Sequence, residues 1–221
     1  MNVDIHAIPL GIDRCYVVKG EGVIMIDAGT PSKAKAFLRH IGKTSIRPQD
    51  IKLLIITHGH FDHIGSAKAI KEITGAKIAM HELEKDWLEK SQKHLPPPAT
   101  RWGRVFAAMI SLYMPFVHIP ATDVDIVLGN EAFPLAQFGI EGKIISTPGH
   151  SPGSVSIVLQ TGEAFVGDLA MNAFPLRMRP GFPVFADDIN TVKASWKKLL
   201  EAGAKTIYPA HGASFQAEEI C

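Results

Sequence analysis

Between His58 and His63 the chain places three imidazoles and one carboxylate, in the run Thr57-His58-Gly59-His60-Phe61-Asp62-His63, directly after the apolar residues 53–56. A fold that buries the apolar segment as a strand must present this polar cluster at the strand's carboxyl end, so several cation-binding side chains arrive together on one loop. Neutral imidazole and ionised carboxylate suit a borderline divalent cation such as zinc, and no thiol stands among them. Side chains of extended backbone alternate, so His58 and His60 face the same way, while Asp62 and His63 come one step later. One pair can serve one ion and the next pair a second. A polar loop that only caps the following helix is the competing reading, and so dense a set of donors counts against it. The cluster alone does not complete two metal shells, so further donors must come from elsewhere.

The rest of the chain repeats a plan of strand, loop and helix. Residues 23–26 lead into Asp27-Ala28-Gly29-Thr30-Pro31, where Thr30 is expected to cap a helix and Pro31 to enter its first turn. Residues 52–57 lead through the histidine cluster into a helix expected to carry Ile64, Ala67, Ile70 and Ile73 and to stop at Gly75. A short strand is expected at 77–80. The prolines at 96–98 break the pattern, and about 95–119 reads as an insertion with its own helix near 104–114. Beyond it strands are expected at 126–128, 140–146, 154–159, 164–166 and 206–209, with a helix at 190–202. At 221 residues the chain suits one large domain, 1–221, better than two domains and a linker.

Three more places set a candidate donor just after a strand: His150 in Thr147-Pro148-Gly149-His150, Asp168 in Val166-Gly167-Asp168, and His211 in Pro209-Ala210-His211-Gly212. Each is weak alone, since a single strand-end His or Asp is usually structural, but with the cluster they make up seven donors. In this order, with the early Asp27-Ala28-Gly29, they resemble the metallo-β-lactamase fold superfamily of metallohydrolases, and the match spans nearly the whole chain. The resemblance implies an α/β fold, a four-layer αβ/βα sandwich of two mixed sheets flanked by helices, with metals where the strand-end loops meet. It further implies that His58, His60 and His150 hold one ion, that Asp62, His63 and His211 hold another, and that Asp168 bridges them. Asp27 would orient ligands through hydrogen bonds. Two divalent ions are expected, zinc first, with iron or manganese as alternatives. A hydroxide bridging them would attack an ester-type bond, a thioester or a lactone, and Asp62 would orient it and pass its proton to the leaving group.

Departures from subfamily patterns narrow the choice. Asp168 stands where many β-lactamases carry cysteine or serine, and no export signal is visible at the N-terminus, so β-lactam hydrolysis is a minor alternative. Glyoxalase II enzymes share the donors but add a C-terminal helical region, whereas this chain ends ten residues after His211. The homoserine lactone lactonases share them too, with a spacing before His150 closer to the one here. A mononuclear iron enzyme of the same fold, oxidising a persulfide, is the alternative outside hydrolysis.

Composition bounds the partners. Lys+Arg is 23 against 22 Asp+Glu, with no basic run, which disfavours nucleic acid and leaves a small-molecule substrate. Cys15 and Cys221 show no ligand spacing, a disulfide framework is not expected, and a cytoplasmic location is the expectation. The apolar segment 105–117 is too short for a transmembrane segment and contains Pro115, so a buried helix, a homo-oligomer contact, and a membrane-surface or substrate-binding lid remain open for it. Between 172 and 188 lies an apolar set with two guanidinium groups. Phe174, Arg177, Arg179 and Phe182 are candidates for the substrate pocket, with either arginine available to a substrate carboxylate. His6, His40, His81, His94 and His118 are expected to have no role.

Overall fold

The computed structural model describes residues 3–220 apart from 175, 176 and 178. Leu176 and Met178, which belong to the apolar set between 172 and 188, and Cys221 lie outside the described residues. Two six-stranded sheets face each other. The first runs in chain order: β1 (Asp4–Pro9), β2 (Arg14–Lys19), β3 (Val23–Ile26), β4 (Ile51–Ile55), β5 (Lys77–His81) and β6 (Ile126–Leu128). Its first three strands are antiparallel and its last four parallel. The second consists of β7 (Phe133–Pro134), β8 (Gly142–Ser146), β9 (Val155–Leu159), β10 (Glu163–Gly167), β11 (Thr206–Pro209) and β12 (Phe215–Gln216), antiparallel except for the β10–β11 pair.

Strand alternation explains the layers. Along β3 and β4, Ile24, Ile26, Leu53 and Ile55 join Ile157 and Phe165 in the core between the sheets. Their neighbours Met25 and Leu54 face the other way, onto Phe37 and Ile41 of α1 (Ala34–Ile41) and Ile70 of α3 (Ala67–Thr74). Both faces of the central strands are therefore buried, and β3 has no exposed residue. On the outer face of the second sheet, Val166 and Ile207 pack with Val192, Trp196 and Leu199 of α6 (Ile189–Glu201). Helix, sheet, sheet, helix is the four-layer α/β sandwich anticipated above. Tyr16 ties the sheets together: its ring lies 5.1 Å from that of Phe165 and its hydroxyl donates to the Pro209 carbonyl at 2.7 Å.

Two local expectations are corrected. Thr30 caps no helix; its hydroxyl donates to the Leu10 carbonyl at 3.1 Å, and α1 begins only at Ala34. The helix after the histidine cluster is broken into α2 (Phe61–Ile64) and α3. A side chain at Gly65 would strike the Pro31 backbone, while Ser66 Oγ accepts from Lys33 N at 2.8 Å and donates to Thr30 O at 2.7 Å. The chain turns there to pack on the 27–33 loop, and that contact outweighs helical continuity. Gly75 ends α3 in the left-handed conformation, φ 71°, as expected. Between β5 and β6 run α4 (Lys85–Glu89) and α5 (Arg101–Tyr113), the latter close to the helix expected near 104–114.

Candidate metal centre

Since β3, β4 and β5 are parallel, and β8, β10 and β11 run alike in the facing sheet, their carboxyl ends meet at one edge of the sandwich. There the structure brings together all seven expected donors. Ligand atoms of His58, His60 and His150 lie within 4.8 Å of one another, as do those of Asp62, His63 and His211, and those of His58, His63 and Asp168. His150 Nε2 is 3.1 Å from His58 Nε2 and 3.0 Å from His60 Nδ1. Asp168 Oδ1 is 3.4 Å from His63 Nε2 and 3.3 Å from His211 Nε2, and its Oδ2 is 3.7 Å from His150 Nε2, which sets this carboxylate between the two triads.

The rings are aimed from behind. His150 Nδ1 donates to the Phe185 carbonyl at 2.8 Å, His211 Nδ1 to the Ile12 carbonyl at 3.2 Å, and His63 Nδ1 to Asp27 Oδ2 at 2.9 Å. Asp27 also accepts from Thr57 N at 2.8 Å and from the Thr57 hydroxyl, whose lone pair then takes the His58 Nδ1 proton at 3.2 Å. In the neutral form of each ring these contacts leave Nε2 as a lone pair, the form that burial favours for His58 and His150. Asp27 thus contacts the His63 ring directly and the His58 ring through Thr57. It does so from a left-handed backbone, φ 61°, which is strained for a residue with a side chain. Gly167, φ 52°, turns the chain so that Asp168 enters the site; a Cβ there would lie 2.5 Å from Thr57 Oγ1.

Sequence reasoning missed Glu84. Its buried carboxylate accepts from Gly59 N at 2.6 Å and from Gly153 N at 2.7 Å, joining the loop of His58 and His60 to the loop of His150. The available signal was slight, a carboxylate shortly after the strand next to β4.

The donor set fits divalent cation binding. Lone pairs of His58 and His150 facing each other at 3.1 Å repel unless a positive charge lies between them, and His63 Nε2 and Asp168 Oδ1 are buried without a hydrogen-bond partner. Asp27, Asp62 and Asp168 are buried, whereas no lysine or arginine is buried among the described residues, so the compensating charge must be a proton or a cation. Burial pushes His58 well below the usual imidazole range and His60 down to about 3, and it lowers His150. These rings are neutral and ready to coordinate. For His63 and His211 burial also disfavours charge, but the carboxylates of Asp27 and Asp168 around His63, and of Asp168 and Asp62 around His211, hold both well above the usual value. A proton takes the place of a cation there. Burial likewise opposes the charged forms of Asp168 and Asp62, but His211 and His63 hold both below the ordinary carboxylate value.

A cavity of about 430 Å³ opens onto this edge. Asp62, His150, Asp168 and His211 form its polar end, and Phe61, Phe106, Ile110, Phe174 and Phe185 belong to its apolar wall. Phe174 thus stands where expected. Arg177 and Phe182 do not: Arg177 Nε donates to the Phe182 carbonyl at 2.6 Å, and both residues line a second cavity beside Trp196, on which Phe182 stacks at 4.4 Å. Arg179 lines neither cavity. Among the described residues, no arginine lines the cavity at the metal edge. His94, given no role, belongs to that wall and stacks on Trp87 at 3.8 Å, which in turn stacks on His60 at 6.0 Å. Asp13 is buried beside the site with Oδ1 unpartnered, and burial raises its pKa to about 7.

Fold and donor geometry together define a class, and comparison with known proteins gives the same one. Residues 9–211 match the model of the metallo-β-lactamase superfamily, to which the chain belongs. Relatives in it are named as hydrolases, and this chain is a metal-dependent hydrolase. A probable metallo-hydrolase of Bacillus subtilis is 25% identical over 94% of this chain and 83% of its own length. The hydroxyacylglutathione hydrolase GloC of Haemophilus influenzae is 27% identical over 76% of this chain and 72% of its own. Among solved structures, the B3 metallo-β-lactamase BLEG-1 superposes with a TM-score of 0.73 at 24% identity, covering 98% of this chain and 95% of that one, a likeness of fold.

Proposed function

We propose that this protein hydrolyses an ester-type bond, a thioester or a lactone, in a substrate with an apolar, uncharged acyl or alkyl portion. The observation that carries the reading is the convergence of two donor triads and a shared carboxylate at the polar end of an apolar cavity. His58, His60 and His150 would hold one divalent ion, Asp62, His63 and His211 the other, with Asp168 shared between them. Two such ions, zinc first, supply an acidified water at neutral pH and a Lewis acid for the substrate carbonyl. The chain's own residues do the rest. Asp62, on the cavity wall and 3.4 Å from His211 Nε2 through its Oδ2, would orient the attacking water and carry its proton to the leaving group. Phe61, Phe106, Phe174 and Phe185 bind the apolar portion and exclude water from the carbonyl. The relative named for hydroxyacylglutathione favours a thioester, whereas a cavity wall with no lysine or arginine among the described residues does not favour a peptide carboxylate.

The test is elemental analysis of protein purified without added metal, together with hydrolysis of matched ester, thioester and lactone series of increasing chain length. Two zinc ions per chain and a kcat/KM that rises with chain length are the expected result. One iron per chain with oxygen uptake on a persulfide would overturn it.

A further inference from the structure

Helix α5 is apolar on both faces. Phe106 and Ile110 point inward and line the cavity, and Met114, just beyond the helix, is buried. The opposite side stays in solvent: Val105 is 51% exposed, Met109 59%, Leu112 78%, Tyr113 59% and Phe116 82%. Positions 105, 109 and 112 follow the three-and-four spacing of one helical face, and Phe116 adds exposed apolar surface in the 3-10 turn Met114–Phe116 that follows, so this is a stripe and not a scatter of surface residues. Ile12 and Phe174, which line the cavity, are themselves 67% and 81% exposed, so apolar surface continues from the cavity lining to the outside.

Along the chain, the charges within the segment that carries the stripe have one sign. From 90 to 122 there is no acidic residue, while Lys90, Lys93, Arg101 and Arg104 are basic. Lys90 pairs with Asp86 at 2.6 Å, and the Lys93 ammonium is turned to the Met114 carbonyl at 3.1 Å. Arg101 and Arg104, both exposed, have no ion pair among the described residues and sit at the start of the helix on its solvent side. A second copy of the chain is a poor occupant, since self-pairing of this face sets the arginines against an identical patch without an acid to answer them. An anionic lipid surface satisfies both features, taking the apolar stripe into its acyl boundary and the guanidinium groups among its headgroups. With 13 residues α5 reaches about 20 Å, and no described helix is long and apolar enough to cross a bilayer, so the helix lies on the surface and does not span it.

We propose that the outer face of α5, extended by Phe116, docks this protein on an anionic lipid surface and turns the mouth of the cavity toward the lipid. Delivery of an apolar ester substrate from the lipid phase rests on the function proposed above. Docking itself does not, and it is tested without turnover.

The experiment is flotation of the full chain with vesicles of phosphatidylglycerol and phosphatidylcholine in equal parts, against phosphatidylcholine alone, at low salt and in 0.5 M salt. Wild-type protein is expected to float with the anionic vesicles and to be released by salt. The exposed pair Leu112→Ser/Phe116→Ser is expected to weaken binding by at least about tenfold, and Arg101→Glu/Arg104→Glu to abolish the preference for anionic lipid. Circular dichroism and metal content of both variants, unchanged from wild type, show that the fold and centre persist. Absence of flotation, or flotation indifferent to these substitutions, overturns the proposal. So does a concentration-dependent dimer in analytical ultracentrifugation that Leu112→Ser/Phe116→Ser dissociates, which would make the face a contact between copies.

Discussion

Replacing Glu84 by glutamine tests whether the centre is held from behind as well as from its donors. The carboxylate accepts one N–H from each donor loop, Gly59 at 2.6 Å and Gly153 at 2.7 Å, and is fully buried. Glutamine keeps a single oxygen and turns its amide toward the second N–H, so one charge-assisted bond, worth about 1.5–3 kcal/mol, is lost and a buried donor is orphaned. Part of this returns, because burial has raised the Glu84 pKa above the usual carboxylate value and the neutral amide escapes that penalty. The net cost is about 1–2 kcal/mol, or a fall in Tm of roughly 2–8 °C for a chain of this size. The larger effect is expected at the metal. Gly59 lies between His58 and His60, and Gly153 follows His150, so loosening both loops should weaken metal binding by about 10–100-fold. Metal affinity is measured by competition with a chelating dye, beside Ile41→Val, a distant core change costing about 1 kcal/mol. Loss of metal affinity in Glu84→Gln but not in Ile41→Val is the expected pattern. Equal affinity in both variants would refute the bracing role and leave Glu84 as ordinary core.

Three other outcomes follow from the same geometry. Asp62→Asn should lower kcat by about 10²–10⁴-fold, and a variant that retains its metals and turns over at the wild-type rate would remove Asp62 from the mechanism. Chelation should lower the Tm of wild type by roughly 5–10 °C, the loss expected when a ligand present at about a hundred times its Kd is withdrawn, while His150→Ala should respond far less; equal responses would place the bound metal elsewhere. In metal-free protein Asp13, raised from 3.8 to about 7 by burial, binds its proton more tightly folded than unfolded. Its contribution is therefore present below pH 4 and lost as the pH rises to about 7, by at most about 4 kcal/mol. Urea unfolding between pH 4 and 8 should show Asp13→Asn gaining on wild type across that window, and parallel profiles would refute the assignment.

The centre was legible because its chemistry is local. His58 to His63 are neighbours in the chain, and His150, Asp168 and His211 each follow a strand, so sequence order and alternation alone bring them to strand ends. Thr30 and the 64–66 break were misread for the opposite reason: hydrogen bonds from Thr30 to Leu10 and from Lys33 to Ser66 reach across the chain and override local helix signals. Strands β1 and β2 carried no motif, and their place was settled by antiparallel pairing onto β3.

By itself, then, the amino-acid order determined the family, the α/β layering and which seven side chains meet at the sheet edge, since each depends on contiguous residues or on the period of a strand. Tertiary structure alone decided which side chains share a space. It turned Arg177 and Phe182 into a cavity away from the donors, set His94 on the wall of the one that adjoins them, put the Glu84 carboxylate between two loops, and left the outer face of α5 in solvent. Those outcomes depend on how distant loops approach one another, and contacts between loops far apart in sequence have no period or spacing to announce them.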